Sequence, residues 1–277
     1  MNLTHPGKKV FLTGASSGIG KSIAQRLISE GYEVWGTSRQ ADRLSGIAGL
    51  HVLEMDLSLP SSIESAWKQG LDQAGHFDII IQNAGYGHFG SIEETSLPEA
   101  QAQWSALVEG PLLLCRLAAA HCRLRRRGWI IGISSLAAEM PLPFFAHYSA
   151  GKAAFSSLLG GLWMELKPFG VHVVDLRPGD IRTNFNQVAT QSITSSSPYG
   201  KWSSQAWKES CRLIKAAPDP EIVSRAVLRL LKQRHPPAVL RCGSFFQSVL
   251  GSLGVRLFSR SALLRSIRSY YQLDRGE

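Results

Sequence analysis

The sequence predicts an α/β protein built on a doubly wound parallel sheet of about seven strands. Three observations carry this. Short apolar, β-rich runs alternate with helical patterns along most of the chain. The runs are apolar without a break, as strands covered on both faces require. The first run feeds directly into a glycine-rich turn and a helix. Right-handed crossovers between such strands distribute helices over both faces of the sheet.

Taken in order, the candidate strands span residues 9–13, 33–37, 50–55, 78–82, 129–134 and 171–176, with a weaker one at 238–241. Helical periodicity fills the intervals at 18–30, 61–74, 101–124 and 147–167. Residues 184–204 break the alternation. They are rich in Ser, Thr, Gln and Asn and read as a mobile loop, the start of a lid near 184–215. The tail from 244 to 272 reads as two short amphipathic helices. Phe245, Phe246, Val249, Leu250, Leu253 and Leu257 share one face of the first. Leu263, Leu264, Ile267, Tyr270 and Tyr271 share one face of the second, away from Arg265 and Arg268. Such faces pack against the sheet unit or meet a lipid surface.

Bulk properties narrow the class. Of 277 residues, 44% are hydrophobic and 18% charged, which excludes a disordered chain. Residues 1–200 balance 16 basic against 16 acidic side chains. Residues 201–277 hold 14 and 5, the whole of the +9 excess. A basic tail of this kind suits an anionic membrane surface, and no nucleic-acid motif accompanies it. Cys115, Cys122, Cys211 and Cys242 show no paired spacing and read as free thiols of a reducing compartment. The first nine residues carry no apolar signal region, and no run of about 18 apolar residues exists. A cytoplasmic protein is expected, with membrane association through the tail as the variant.

The turn Thr13-Gly14-Ala15-Ser16-Ser17-Gly18-Ile19-Gly20 follows Val10-Phe11-Leu12 and opens a helix. Gly14 permits a tight turn, while Gly18 and Gly20 let backbone and helix approach a pyrophosphate. The helix offers free N–H groups and the positive end of its dipole, and Ser16 and Ser17 add hydroxyls. The second strand ends Thr37-Ser38-Arg39 with no carboxylate in the arginine's place. A guanidinium there suits a 2′-phosphate, so NADP(H) is expected in preference to NAD(H). Asp56, followed by Leu57, is placed for the adenine edge, and Asn83-Ala84-Gly85 closes the fourth strand.

Tyr148 and Lys152 lie one helical turn apart, and Ser135 ends the fifth strand. A free phenol, with a pKa of about 10, is a slow acid near neutrality. A neighbouring ammonium is expected to lower that value and ready the group for proton transfer at a carbonyl oxygen. Ser135 would hold the same oxygen.

Together these motifs resemble the short-chain dehydrogenase/reductases over roughly residues 8–183. Pro178-Gly179-Asp180-Ile181-Arg182-Thr183 adds to the match. The Asn83 and Arg39 motifs are similar to the NADPH-preferring branch that includes hydroxysteroid and retinol dehydrogenases. The resemblance implies a Rossmann-like oxidoreductase unit over 1–243 with a helical extension at 244–277. It also implies that Ile181 flanks the nicotinamide, that Thr183 bonds its carboxamide and that Lys152 holds the ribose. The family is commonly a homodimer or homotetramer. One departure stands out. Counting from Ser135 and Gly110, the family's helical asparagine, which binds a water linked to the lysine, is Leu107 here. The implied activity interconverts a hydrophobic ketone or aldehyde and its alcohol, as a carbonyl reductase does. Met140-Pro141-Leu142-Pro143-Phe144-Phe145 would form part of an apolar pocket wall. A nicotinamide-binding sensor or scaffold is the alternative that Leu107 raises.

Overall fold

The computed structural model describes residues 7–193, 196–244, 247 and 257–274. Seven strands form one sheet in the order β3-β2-β1-β4-β6-β7-β9, every pair parallel. They are β1 (Lys9–Leu12), β2 (Glu33–Ser38), β3 (Leu50–Glu54), β4 (Ile79–Gln82), β6 (Gly128–Ile133), β7 (Val171–Pro178) and β9 (Val239–Cys242). Two-residue strands β5 (His88–Phe89) and β8 (Thr190–Gln191) make a separate small sheet.

Period-2 alternation divides the strand side chains between two cores. Val10, Leu12, Ile79, Ile81 and Ile131 face one way, with Ile23 and Leu27 of α1 (Gly18–Ser29) and Val227 and Leu230 of α8 (Glu221–Leu231). Phe11, Ile80 and Ile130 face the other way. They meet Trp67 of α2 (Pro60–Ala74), Leu114 of α4 (Gly110–Arg125) and Phe155 of α5 (Ala146–Leu166). Ile80 is fully buried among them, and Ile80→Ala would cost about 2–5 kcal/mol.

Three local departures from the sequence reading have physical causes. The helix expected at 101–124 is two helices, α3 (Leu97–Trp104) and α4, joined by a π turn at Ser105–Glu109. Pro111 has no N–H to close on the Leu107 carbonyl, and Gly110 N–H reaches back five residues to Ser105 O. Second, the loop expected at 184–204 holds α6 (Phe185–Val188) and β8, and from Gly200 it enters α7 (Gly200–Ala216). The fully buried residues of α7 are Ser203, Ala206, Glu209 and Ser210, with Trp207 and Leu213 packed beside them, an apolar stripe that the Ser and Lys residues between them mask in the sequence. Third, the second tail helix is α9 (Arg260–Tyr270), with Leu263 buried. Leu264, expected on the same face, is exposed, because it is adjacent to Leu263 and adjacent helix positions diverge by about 100°; Tyr270, also expected there, is 38% exposed at the helix end. The first tail helix falls almost wholly outside the described residues.

The strand order reverses between β1 and β4, so a crevice opens at their carboxyl ends. A third apolar cluster roofs one side of it. Phe89 of β5, Phe145, Ala206 of α7, and Tyr271 and Leu273 after α9 form that cluster.

Candidate active site

The crevice is a cleft of about 1280 Å³ running along the strand ends. Its floor is the first turn. Gly14 and Gly18 adopt φ of +68° and +52°, which glycine alone adopts without strain. Thr13 Oγ1 accepts the N–H groups of Asn83 and Ala84, both at 2.9 Å. Asn83 Nδ2 donates to the carbonyls of Thr13 and Gly14, at 3.0 and 3.1 Å. Asn83 therefore staples the turn to β4. Gly20 lies behind the turn: a methyl there would fall 2.0 Å from Gly14 O, so its absence lets α1 seat against the loop.

Gly14, Ser16, Ser17, Gly18 and Ile19 line the cleft. Ser17 caps α1 without a side-chain hydrogen bond, and the first turn of α1 carries no acidic residue. Free N–H groups at a helix start, beside a glycine cradle that a side chain would fill, fit a pyrophosphate.

Ser38 and Arg39 line the adenosine end with Gln40, Arg43, Asp56, Leu57 and Tyr86. Ser38 Oγ accepts the Gln40 N–H at 3.3 Å. Asp56 Oδ1 accepts from both the backbone and hydroxyl of Ser58, at 2.9 and 2.7 Å, which fixes the turn before α2. Leu57 is held from behind: a methyl at Gly110 would lie 2.1 Å from its carbonyl oxygen. Ala84 and Gly85 continue the wall at the middle of the cleft, and Pro178, Gly179, Ile181 and Thr183 face them from the end of β7. Thr183 Oγ1 accepts from Phe185 N, and its methyl packs on Gly18.

Ser135, Tyr148 and Lys152 come together at the inner end. Ser135 lies two residues past the end of β6 and caps a short 3-10 turn, its hydroxyl accepting from Ala137 N at 3.0 Å. It also stands close enough to the Tyr148 phenol to lower that group's proton affinity. Lys152 is buried on α5, its Nζ donating to Ile133 O at 2.9 Å and lying 5.9 Å from the centre of the Tyr148 ring. Burial pushes Tyr148 up to about 12, with Ser135 opposing and the Asp180 charge adding to it. Burial likewise pulls Lys152 down to about 8, opposed by the Asp175 carboxylate. The sequence reading expected the ammonium to lower the phenol. Desolvation overrides it here, because both groups sit under the same apolar wall.

Asp175 is 3% exposed. It accepts from the Ser134 hydroxyl, from Ser156 Oγ at 2.7 Å and from Arg177 Nε at 2.7 Å. Ser156 lies one turn beyond Lys152 on α5, so this carboxylate ties the lysine's helix to the segment after β6 that carries Ser134 and Ser135. Leu107, in the π turn, packs against Gly85 and Gly151: a methyl at Gly151 would meet its Cβ at 3.0 Å. No polar atom of that side chain reaches toward Lys152.

Of the stretch 140–145, Met140, Leu142 and Phe145 line the cleft while Pro141, Pro143 and Phe144 do not, and Ile267, Tyr270 and Tyr271 come over from α9 and beyond. Sequence reasoning missed Arg43, Tyr86, Asp175, Asp180 and Gln247. Arg43 had a signal, one helical turn beyond Arg39. Tyr86 and Asp180 lie directly beside motif residues Gly85, Gly179 and Ile181 but had no role assigned to them, and Asp175 and Gln247 had no signal, since they come from other segments. Among the described residues no helix is long and apolar enough to cross a membrane, and no cluster of His, Cys, Asp and Glu fits a metal ion.

The chain matches the family model described as short chain dehydrogenase over residues 8–194. It is 29% identical over 256 residues to a 3-ketodihydrosphingosine reductase of Bacteroides thetaiotaomicron, covering 91% of each chain. A short-chain dehydrogenase structure from Streptomyces avermitilis superposes with a TM-score of 0.80 at 27% identity, covering 98% of both chains. An alcohol dehydrogenase from Thermococcus sibiricus, complexed with 5-hydroxy-NADP, gives a TM-score of 0.71 at 25% identity over 87% of this chain and 97% of that one.

Proposed function

The chain belongs to the short-chain dehydrogenase family, and from that premise we propose that this oxidoreductase uses NADP(H) to interconvert an apolar ketone or aldehyde and its alcohol. One observation carries the reading: Ser135, Tyr148 and Lys152 meet at the inner end of the same cleft whose floor is the glycine turn. The nicotinamide, when bound, supplies or accepts the hydride. The chain's own residues handle the proton and the oxygen.

In the reductive direction the phenol of Tyr148 donates to the carbonyl oxygen as that oxygen gains negative charge. A phenol held near 12 stays protonated throughout the neutral range, which suits the acid role. The Ser135 hydroxyl donates to the same oxygen and fixes its position. Lys152, still mostly charged at pH 7, stabilises the phenolate left behind. In the oxidative direction the same groups run in reverse, with Tyr148 as base.

Arg39 and Arg43, both exposed at the adenosine end, support NADP(H) over NAD(H). Leu142, Phe145, Leu263 and Ile267 support an apolar substrate, as does the ketone in the Bacteroides relative's name. A second reading, a sensor that binds the nucleotide without turnover, rests on Leu107, which gives Lys152 no polar neighbour on the α4 side.

The test is Tyr148→Phe assayed with NADPH and a panel of apolar carbonyls. Loss of nicotinamide absorbance is expected with the native protein. The variant should keep nucleotide affinity and lose at least about 100-fold in rate. Equal turnover by both proteins would rule out the mechanism, and tight nucleotide binding without turnover on any carbonyl would favour the sensor.

A further inference from the structure

Val171 and Val173 of β7 point into the core beneath α5, and Asp175 and Arg177 follow at the same period-2 positions. A strand face that begins apolar thus ends charged while still inside the protein. Packing does not call for this pair, because apolar side chains of similar volume commonly replace a buried ion pair without loss of stability. The carboxylate reaches both supports of the catalytic lysine. Its Oδ1 accepts the hydroxyl of Ser134, which lies between Ser135 and Ile133, and the Ile133 carbonyl takes Lys152 Nζ at 2.9 Å. Its Oδ2 accepts Ser156 Oγ at 2.7 Å, one helical turn beyond Lys152. The strand end that holds the ammonium and the helix that carries it are therefore joined through one carboxylate.

Arg177 fixes that carboxylate in turn. Its Nε donates to Asp175 Oδ2 and its Nη2 to Ser156 Oγ, both at 2.7 Å, and its Nη1 donates to Glu139. Arg241 holds Glu139 from β9, its Nε 3.1 Å from Oε2. Two carboxylates balance two guanidinium groups, so the charge of Lys152 is left over. Few other titratable groups face the lysine. Tyr148 shares its helix, and the π turn presents only the hydrocarbon of Leu107. Tyr86, beyond Gly85, faces Arg39 and Asp56 at the adenosine end, and Asp180 acts on Tyr148. Asp175 is the charge that favours the ammonium.

Resting on the oxidoreductase reading, we propose that Asp175 is a positioning residue for the reaction, clamping the strand end and the helix between which Lys152 is held and supplying the negative charge that the Leu107 side lacks. Asp175 does not line the cleft, so it touches neither substrate nor nucleotide and acts through the lysine. A lysine kept charged and in place stabilises the phenolate of Tyr148 as the proton leaves.

The experiment measures kcat against pH for carbonyl reduction with NADPH in the native chain and in Asp175→Asn, which keeps an oxygen for the serines and loses the charge. In the native chain kcat should fall on the alkaline side as Lys152 loses its proton, near pH 8. Without the carboxylate the ammonium gives up its proton more readily, so that limb should move to lower pH by about one unit, with kcat at pH 7.5 down about threefold and NADPH affinity unchanged. Ser156→Ala cuts one tie and leaves the charge, so kcat should drop while the limb stays in place. A limb that does not move in Asp175→Asn, or that moves as far in Ser156→Ala, overturns the inference. Should Asp175→Asn fail to fold, Asp175→Asn with Arg177→Met removes one charge of each sign and carries the same expectation. Turnover of no carbonyl by the native chain counts against the oxidoreductase reading instead. Urea unfolding at pH 7 then decides the clamp alone: Lys152→Met should shift the midpoint further upward in the Asp175→Asn background than in the native one, and equal shifts sink it.

Discussion

Lys152→Met separates what this lysine does for function from what it does to stability. Lys152 is 6% exposed, and its burial draws the ammonium from 10.5 to about 8. A lysine whose folded-state value lies below its unfolded one holds its proton more weakly in the folded state. Its contribution to stability is therefore worst below about pH 8 and recovers as pH rises toward 10.5. At about 1.4 kcal/mol per pH unit, the gap sets a ceiling of about 3 kcal/mol of destabilisation at pH 7. Removing the bond to Ile133 O takes back about 1 kcal/mol. Methionine fills most of the same volume, so Lys152→Met should be more stable than the native protein by about 2 kcal/mol at pH 7. By pH 9.5 that gain should shrink to near zero. Urea unfolding of both proteins at the two pH values measures it, and the difference between them cancels every other titrating group. Activity should be lost at both. A variant less stable than the native chain at pH 7, or a gain that ignores pH, would refute the reasoning.

Four further outcomes test the rest of the site. Arg39→Asp should move preference from NADPH toward NADH by about 10- to 100-fold in the ratio of kcat/KM, with part of the NADPH affinity retained through Arg43; an unchanged ratio means the arginine does not read the 2′-phosphate. Leu107→Asn places an amide between two glycines and should lower stability by about 1–3 kcal/mol, while kcat stays within severalfold because Lys152 is held from the Ile133 side; a rise of 100-fold would speak for a decayed enzyme. Gly110→Ala drives a methyl into Leu57 O and should destabilise by about 1–3 kcal/mol while raising the Kd for NADPH, both read by thermal unfolding with and without nucleotide. Leu257, Phe258 and Leu264 are 72%, 58% and 43% exposed beside Arg260 and Arg265, so deleting 244–277 should reduce sedimentation with anionic vesicles; a full chain that ignores vesicles at low salt removes the membrane contact.

Much of the fold was legible because the information was local. Val10-Phe11-Leu12 and Ile79-Ile80-Ile81 read as buried strands from their unbroken apolar runs, and both proved to be covered on the two faces. The glycine turn was equally plain, since positive φ and close approach exclude other residues at Gly14 and Gly20. Helix α7 carries an apolar period through Ala206, Trp207 and Leu213, but the Ser and Lys residues between them made the segment read as a continuation of the loop before it. The π turn was hidden because a proline in a helical pattern tells where strain falls but not how it is relieved.

The order of motifs along the chain by itself determined the sheet, the cleft at its switch point and the pairing of Tyr148 with Lys152. Those follow from backbone sterics, side-chain period and helical pitch, which act over a few residues. Tertiary structure alone decided the electrical character of the site. Asp175 placed its charge near Lys152 from β7, Asp180 entered the cleft with no ion-pair partner among the described residues, and the phenol rose when the lysine was expected to lower it. Proton affinity depends on which distant segments exclude water from a group, and no stretch of sequence carries that information.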